Sequence, residues 1–191
     1  MISPRNYSLG RRREAVERTR STILAAARDL VTELGRDSSL GKVAERAGVS
    51  RITVYNQFGS KRRLLQALTA DARPTHGRPV GSDPREQLRS RIAQACATWA
   101  ANPALYRRLH EHDSWASEDS EPDRTLAEQL AAGDHLRPGC SIKEAEDVIG
   151  ILTSFQAFDR LRKGGRRSPT AVAEVLMRMG AGMLAYGHPN A

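Results

Sequence analysis

Residues 38 to 68 read SSLGKVAERAGVSRITVYNQFGSKRRLLQAL, and the punctuation of this stretch leaves few ways to fold it. Ser38-Ser39 can cap a short helix by accepting a backbone N–H, with Val43, Ala44 and Ala47 on its inner face. Gly48 breaks that helix, Val49 fills the turn, and Ser50 can cap the next one, Arg51 to Phe58. There Val54 and Phe58, four residues apart, point the same way. Gly59-Ser60 breaks the chain again, and Lys61 begins a helix carrying Leu64, Leu65 and Leu68. Two short helices joined by a tight glycine turn make a helix-turn-helix.

The remaining segments read as helix too. Upstream, RRREAVERTRSTILAAARDLVTELG places Val16, Ile23, Leu24, Ala27, Leu30, Val31 and Leu34 at helical spacing, and Gly35 suits the left-handed residue that ends a helix. Residues 1 to 10 show no period and are expected to be a disordered start, with Arg11-Arg12-Arg13 as a basic arm ahead of the first helix that either reaches the adjacent minor groove or backbone or stays a solvated tail. Arg73 to Pro84 is a proline- and glycine-rich loop, and Pro84 suits the first turn of a fifth helix to about Ala101. Asn102-Pro103 starts a sixth to about Trp115, and Pro122 opens a seventh after the acidic run SEDSEP. Two long helices, Ser141 to Lys163 and Pro169 to about Tyr186, close the chain. Each carries apolar residues on more than one face, which suits one face on its own core and one on a partner. No alternation of β-formers marks a strand. The expected fold is all-α with about nine helices: a helix-turn-helix domain over residues 11–70 and a helical domain over 71–191.

Charge divides the chain in the same place. Through Arg63 there are fourteen Lys and Arg against six Asp and Glu; from Leu64 onward there are sixteen of each. The whole formal surplus of +8 therefore lies in the first third, as expected of a polyanion-binding module beside a neutral one.

The chemistry of the second short helix fits DNA. With Val54 and Phe58 turned inward, Arg51, Ile52, Thr53, Tyr55, Asn56 and Gln57 share the outward and flanking positions. Arg pairs bidentately with guanine, Asn or Gln with adenine, and Thr or Ile meets the thymine methyl. Tyr55 suits a phosphate at the groove edge. Ser60 and Lys61 stand at a helix N-terminus, where free N–H groups favour an anion and Lys61 adds full charge. With Ser39 and Lys42 at the start of the preceding helix, these form the expected DNA-contact set.

The run LGKVAERAGVSRITVYNQFGSKRRLL resembles the DNA-binding region of the tetracycline-repressor (TetR/AcrR) family of bacterial transcriptional regulators, and STILAAARDLVTELG resembles that family's first helix. The resemblance covers about residues 17 to 70; beyond them only the helical organisation is similar. It implies that Tyr55 and Lys61 match phosphate-contact positions and that Arg51 to Gln57 match the recognition helix. It further implies a homodimer through the last two helices, a palindromic double-stranded operator, and an inducer pocket for a small-molecule ligand in the C-terminal helices. Two positions depart from the pattern. Gly41 stands where a long polar residue is frequent, and Arg62-Arg63 stand where acidic residues often follow the lysine, which should strengthen backbone binding.

Aromatic residues Trp99, Tyr106, Trp115, Phe155 and Phe158 lie in the neutral module, where they suit either core or the implied pocket. Cys96, His110 and Gln156 are candidate polar groups for that pocket. A metal reading of His110, His112 and Asp113 is weak, because i and i+2 diverge on a helix and two ligands make a poor site. No phosphate loop, Cys-x-x-Cys pair or nucleophile elbow marks an enzyme, so no catalytic residue, cofactor or metal is assigned. No apolar run approaches 18 residues, and no hydrophobic leader follows Met1, so Cys96 and Cys140 are expected to be reduced thiols in the cytoplasm. The expected function is a ligand-released repressor; the alternative is a sequence-nonspecific architectural DNA binder.

Overall fold

The computed structural model describes residues 4–72, 83–111 and 121–185, and within them the side chains of all but 4–9, 36 and 163–165. The described residues form ten α-helices: α1 (Pro4–Leu34), α2 (Leu40–Arg46), α3 (Arg51–Phe58), α4 (Lys61–Ala72), α5 (Pro84–Ala101), α6 (Pro103–His110), α7 (Glu121–Ala132), α8 (Ile142–Leu152), α9 (Phe155–Gly165) and α10 (Pro169–Gly180). The all-α expectation holds, with one isolated bridge, Leu136 to Leu184, as the only β-type pairing among the described residues.

Serine sets most of the helix starts. Ser39, Ser50, Ser60, Ser141, Ser154 and Ser168 each accept a backbone N–H from the residue three positions on, at 3.0–3.3 Å. Each such cap is worth about 1 kcal/mol. Asp83 caps α5 by accepting from the Arg85 amide, two positions on, at 3.1 Å. The stops are glycines where they need to be: Gly35, Gly48 and Gly59 have φ of +54°, +65° and +72°, a region that costs a Cβ-bearing residue strain.

The chain divides into two compact units, Met1–Arg73 with Ala104–Ala116, and Pro74–Pro103 with Ser117–Ala191. In the first, α1 packs on α2 and α4, and α3 packs on α2 and α4. Ile23, Ala27, Leu30 and Val31 of α1 meet Val43, Val54, Phe58, Leu64 and Leu68 in its buried core. Helix α6 joins this unit through Leu105 and Leu109, and the Tyr106 hydroxyl donates to the Ala72 carbonyl at 3.0 Å, closing the end of α4. In the second unit α5 packs against α7, α9 and α10, while α8 packs against α7, α9 and α10. Leu88, Ile92, Trp99, Leu130, Ile149, Phe158, Val172 and Leu176 fill it. A Cβ placed on Gly180 would come within 2.8 Å of Leu152 Cδ1, so glycine is what lets α10 and α8 approach.

Three expectations need correction. The basic arm does not precede the first helix: Arg11, Arg12 and Arg13 lie inside α1, which starts at Pro4, because helix continues upstream without any apolar period to announce it. Val16 is accordingly 48% exposed rather than inward. The helix read from Ser141 to Lys163 is two, broken at Thr153-Ser154, where Ser154 caps α9 afresh; this raises the count from nine to ten.

Candidate nucleic-acid interface

Helix α3 is held by its inner edge. Val54 is fully buried and Phe58 nearly so, which contributes about 1.5–3 kcal/mol apiece to fixing its seat. The turn before it is set by Gly48 and by the Ser50 side chain, which accepts from the Thr53 amide at 3.0 Å and lies 2.8 Å from the Thr53 hydroxyl. At about 100° per residue, the side opposite Val54 and Phe58 is centred on Asn56, with Ile52 and Thr53 beside it and Tyr55 and Gln57 at the flanks. Ile52 is 71% exposed and Tyr55 61% exposed; Arg51 and Asn56 are exposed, Thr53 and Gln57 half-buried. Ile52 and Tyr55 thus stand out together from an anchored helix, where they are free to meet a partner surface.

The flanking residues bracket α3. At the start of α2, the Ser39 hydroxyl accepts from the Lys42 amide and Lys42 Nζ donates to the Asp37 carbonyl at 3.3 Å, both on the surface. A Cβ at Gly41 would meet only Ser39 Oγ, at 3.8 Å, so the position is open space rather than a packing requirement. At the start of α4, Ser60 Oγ accepts from the Arg63 amide and keeps its own proton to donate. The first-turn amides of a helix lack intrahelical acceptors and point off its end, where Lys61 stands half-buried and Arg62 and Arg63 are exposed. The arrangement can take an anion at α4 while α3 presents hydrogen-bonding and apolar groups to base edges. Behind it, Arg46 donates twice to Glu33, at 3.1 and 3.0 Å, tying α2 to α1; these bonds hold the Glu33 carboxyl below its ordinary range.

Residues 23–68, the inner part of α1 through α4, match the family model described as bacterial regulatory proteins of the tetR family. The chain thus carries a segment that matches the tetR family of bacterial regulatory proteins. It is a DNA-binding transcriptional regulator with the helix-turn-helix described above. Solved structures with the same fold include a TetR-family transcriptional regulator from Haemophilus influenzae (TM-score 0.65, 19% identity, 89% of this chain and 98% of that one). The TetR regulator TylP from Streptomyces fradiae is similar at TM-score 0.65 and 20% identity, over 89% of this chain and 88% of that one. NalD, the secondary repressor of the MexAB-OprM multidrug efflux pump in Pseudomonas aeruginosa, is similar at TM-score 0.58 and 24% identity, over 89% and 97%. No curated protein matches the chain.

The residues read as ligand candidates separate in the structure. Trp99 and Phe155 meet edge to face in the second unit, ring centroids 5.8 Å apart, with Phe158 6.4 Å from Phe155. The Trp99 indole N–H donates to the Thr153 carbonyl at 3.0 Å. Cys96, one turn before Trp99, is buried, and burial pushes its thiol up to about 11. Tyr106 and His110 belong to the first unit, where His110 Nδ1 lies 2.8 Å from the Tyr106 carbonyl. Gln156 is exposed. Trp115, with His112 and Asp113, lies outside the described residues. Among the described residues no three His, Cys, Asp or Glu side chains converge as a metal site, and no helix is long and apolar enough to cross a membrane.

Sequence reasoning missed a largely buried ion pair in the second unit, a buried arginine on a half-buried carboxylate. Arg91 of α5 contacts Asp123 of α7 and donates to the Pro122 carbonyl at 2.8 Å. Nearby Glu146 of α8 is also buried and pairs with Lys143 at 3.3 Å. The signal was there: Arg91 falls in the row Leu88, Ile92, Ala95, Cys96, Trp99 that faces the core.

Proposed function

We propose that this chain is a homodimeric, ligand-released repressor acting in the cytoplasm, in which residues 11–70 read one half-site of a palindromic operator. The observation that carries it is the α3 surface: Asn56, Ile52 and Thr53 turned away from Val54 and Phe58, with the α4 start beside them. Arg51, Asn56 and Gln57 would supply base-edge hydrogen bonds, Ile52 and Thr53 methyl contacts, and Tyr55, Ser60, Lys61, Ser39 and Lys42 phosphate contacts.

A second copy would dock on the face formed by α8 and α10. Ile151 and Met179 are 60% and 58% exposed there, and Val148 and Val175 are half-buried. The close approach at Gly180 and Leu152 lies next to both exposed residues. A two-fold dimer reads a two-fold site, which is the reason to expect a palindrome. One structural relative is itself a repressor, of an efflux pump. Residues 71–191 would hold a small ligand, with Trp99, Phe155 and Cys96 as the part of the candidate set that the second unit brings together. Ligand coupling of about 1–3 kcal/mol would weaken operator binding roughly 5- to 150-fold.

Selection from a random duplex library at about 150 mM salt tests this reading. The expected result is a two-fold symmetric motif, changed in base preference by Asn56→Ala. Lys61→Ala should keep the motif but flatten the salt dependence by about 0.9 in slope. Binding that enriches no motif and collapses with salt would instead identify an architectural DNA binder, for which the exposed Arg62 and Arg63 would suffice.

A further inference from the structure

Resting on the DNA-binding reading above, we propose that the N-terminal half of α1 is a second DNA-contacting arm, which grips backbone phosphates flanking the segment that α3 reads. From Ile23 onward the inner row of α1, with Ile23, Ala27, Leu30 and Val31, is buried in the first unit. Followed back toward the N-terminus at helical spacing, the same row becomes Arg20, Val16 and Arg12, with Arg13 alongside. Glu14 falls on the far side of the helix with Arg11 and Arg18, and Glu17 lies on the flank. Every residue from Gly10 to Arg18 is exposed, so this part of α1 adds nothing to the core, yet it is helical and strongly basic, and the row continuing from the core carries arginines and no acid.

Arg20 fixes where that row begins. Its guanidinium sits over the Phe58 ring, 4.7 Å from the centroid. Phe58 is the last residue of α3, and Gly59, Ser60 and Lys61 follow directly, so the root of the arm stands beside the anion-binding start of α4. Arg12 lies eight residues beyond Arg20, about 12 Å along the helix axis at 1.5 Å per residue. That length spans several phosphates of one strand, spaced about 3.4 Å along the duplex. A helix without a buried face is marginal by itself, and a polyanion lying along this row supplies the missing partner. The arm reads no bases; its contribution is electrostatic and depends on how far the duplex extends.

The experiment compares a duplex trimmed to the selected motif with one carrying about ten further base pairs, one helical turn, at each end. Wild-type protein should bind the longer duplex more tightly and with a steeper salt slope. The Arg12→Ala/Arg13→Ala protein should lose most of that advantage, its slope flattening by about 1.8 for each subunit bound, while base preference and thermal stability stay unchanged. A variant that keeps the wild-type length dependence and slope overturns the arm. Failure of the DNA reading itself would look different: no motif is selected, and Lys61→Ala leaves binding unaltered. In that case a random-sequence duplex of the two lengths still decides whether the arm contributes.

Discussion

Replacing Arg91 with leucine should be among the most damaging single changes in the second unit. The Arg91 side chain is only 9% exposed and that of Asp123 18%, and the guanidinium also serves the Pro122 carbonyl at the start of α7. Burial pushes the Arg91 guanidinium down and the Asp123 carboxyl up, in each case against the pull of the partner. The pair is therefore held together by proximity while desolvation works against both charges. Arg91→Leu removes the cation and leaves the half-buried Asp123 carboxylate close to the buried Glu146, which Lys143 pairs from the surface. Breaking one side of a buried pair costs about 3–5 kcal/mol. At about 2–4 °C per kcal/mol for a chain of this size, the melting temperature should fall by roughly 6–20 °C.

The informative comparison is the double replacement. Arg91→Leu/Asp123→Leu removes both charges and their desolvation cost, and exchanges of this kind are often neutral or stabilising. It should recover much of what Arg91→Leu loses, short of full recovery because Glu146 stays. Thermal unfolding followed by far-UV circular dichroism, with urea melts at one temperature, measures all three proteins. If Arg91→Leu lies within about 1 kcal/mol of wild type, or the double variant is no more stable than the single, the pair is not the uncompensated-charge trap described here.

Further expectations concern Cys96 and Gly41. The folded Cys96 thiol titrates at about 11 against an ordinary value of 9.0, so between these pH values the unfolded chain loses a proton that the folded chain keeps. Stability contributed at Cys96 should be fully present below about 9 and lost as pH rises to about 11, and Cys96→Ala should flatten denaturant midpoints across that window. Gly41 lies in α2 with open space at its Cβ, so Gly41→Ala should raise stability by about 0.5–1 kcal/mol in the same melts. A loss instead would show that Gly41 is needed for close backbone approach.

The first unit was legible from the sequence where its signals are local. Ser39, Ser50 and Ser60 each cap the helix that follows, and Gly35, Gly48 and Gly59 each take a positive φ, so the bounds of α2 and α3 follow from residues within four positions. The outward set on α3 followed from the spacing of Val54 and Phe58 alone. The start of α1 was not legible, because residues 4–22 carry no apolar period, and a stretch as exposed as Gly10 to Arg18 leaves none to find. Arg91 was readable only by trusting its place in the apolar row over its charge, a choice the structure explains through Asp123 on a different helix.

The break between α8 and α9 shows the remaining limit, and it matters for the ligand proposal. Ile149, Leu152, Phe155 and Phe158 run at helical spacing straight through it, so periodicity reports one helix. What ends α8 is partly distant: the Thr153 carbonyl, released from the helical ladder, receives the Trp99 indole N–H from α5, while Ser154 caps the new helix through the Ala157 amide. The break thus exchanges helix-internal bonds for a cap and a tertiary hydrogen bond, and neither is visible to a pattern of apolar residues. It also fixes the geometry in which Trp99 meets Phe155 edge to face. The aromatic group on which ligand release is proposed to act is therefore anchored to a helix junction. A ligand that displaced Trp99 would have to leave the Thr153 carbonyl without its donor or supply one, and α8, whose outer face is proposed to meet the second copy, ends at that carbonyl.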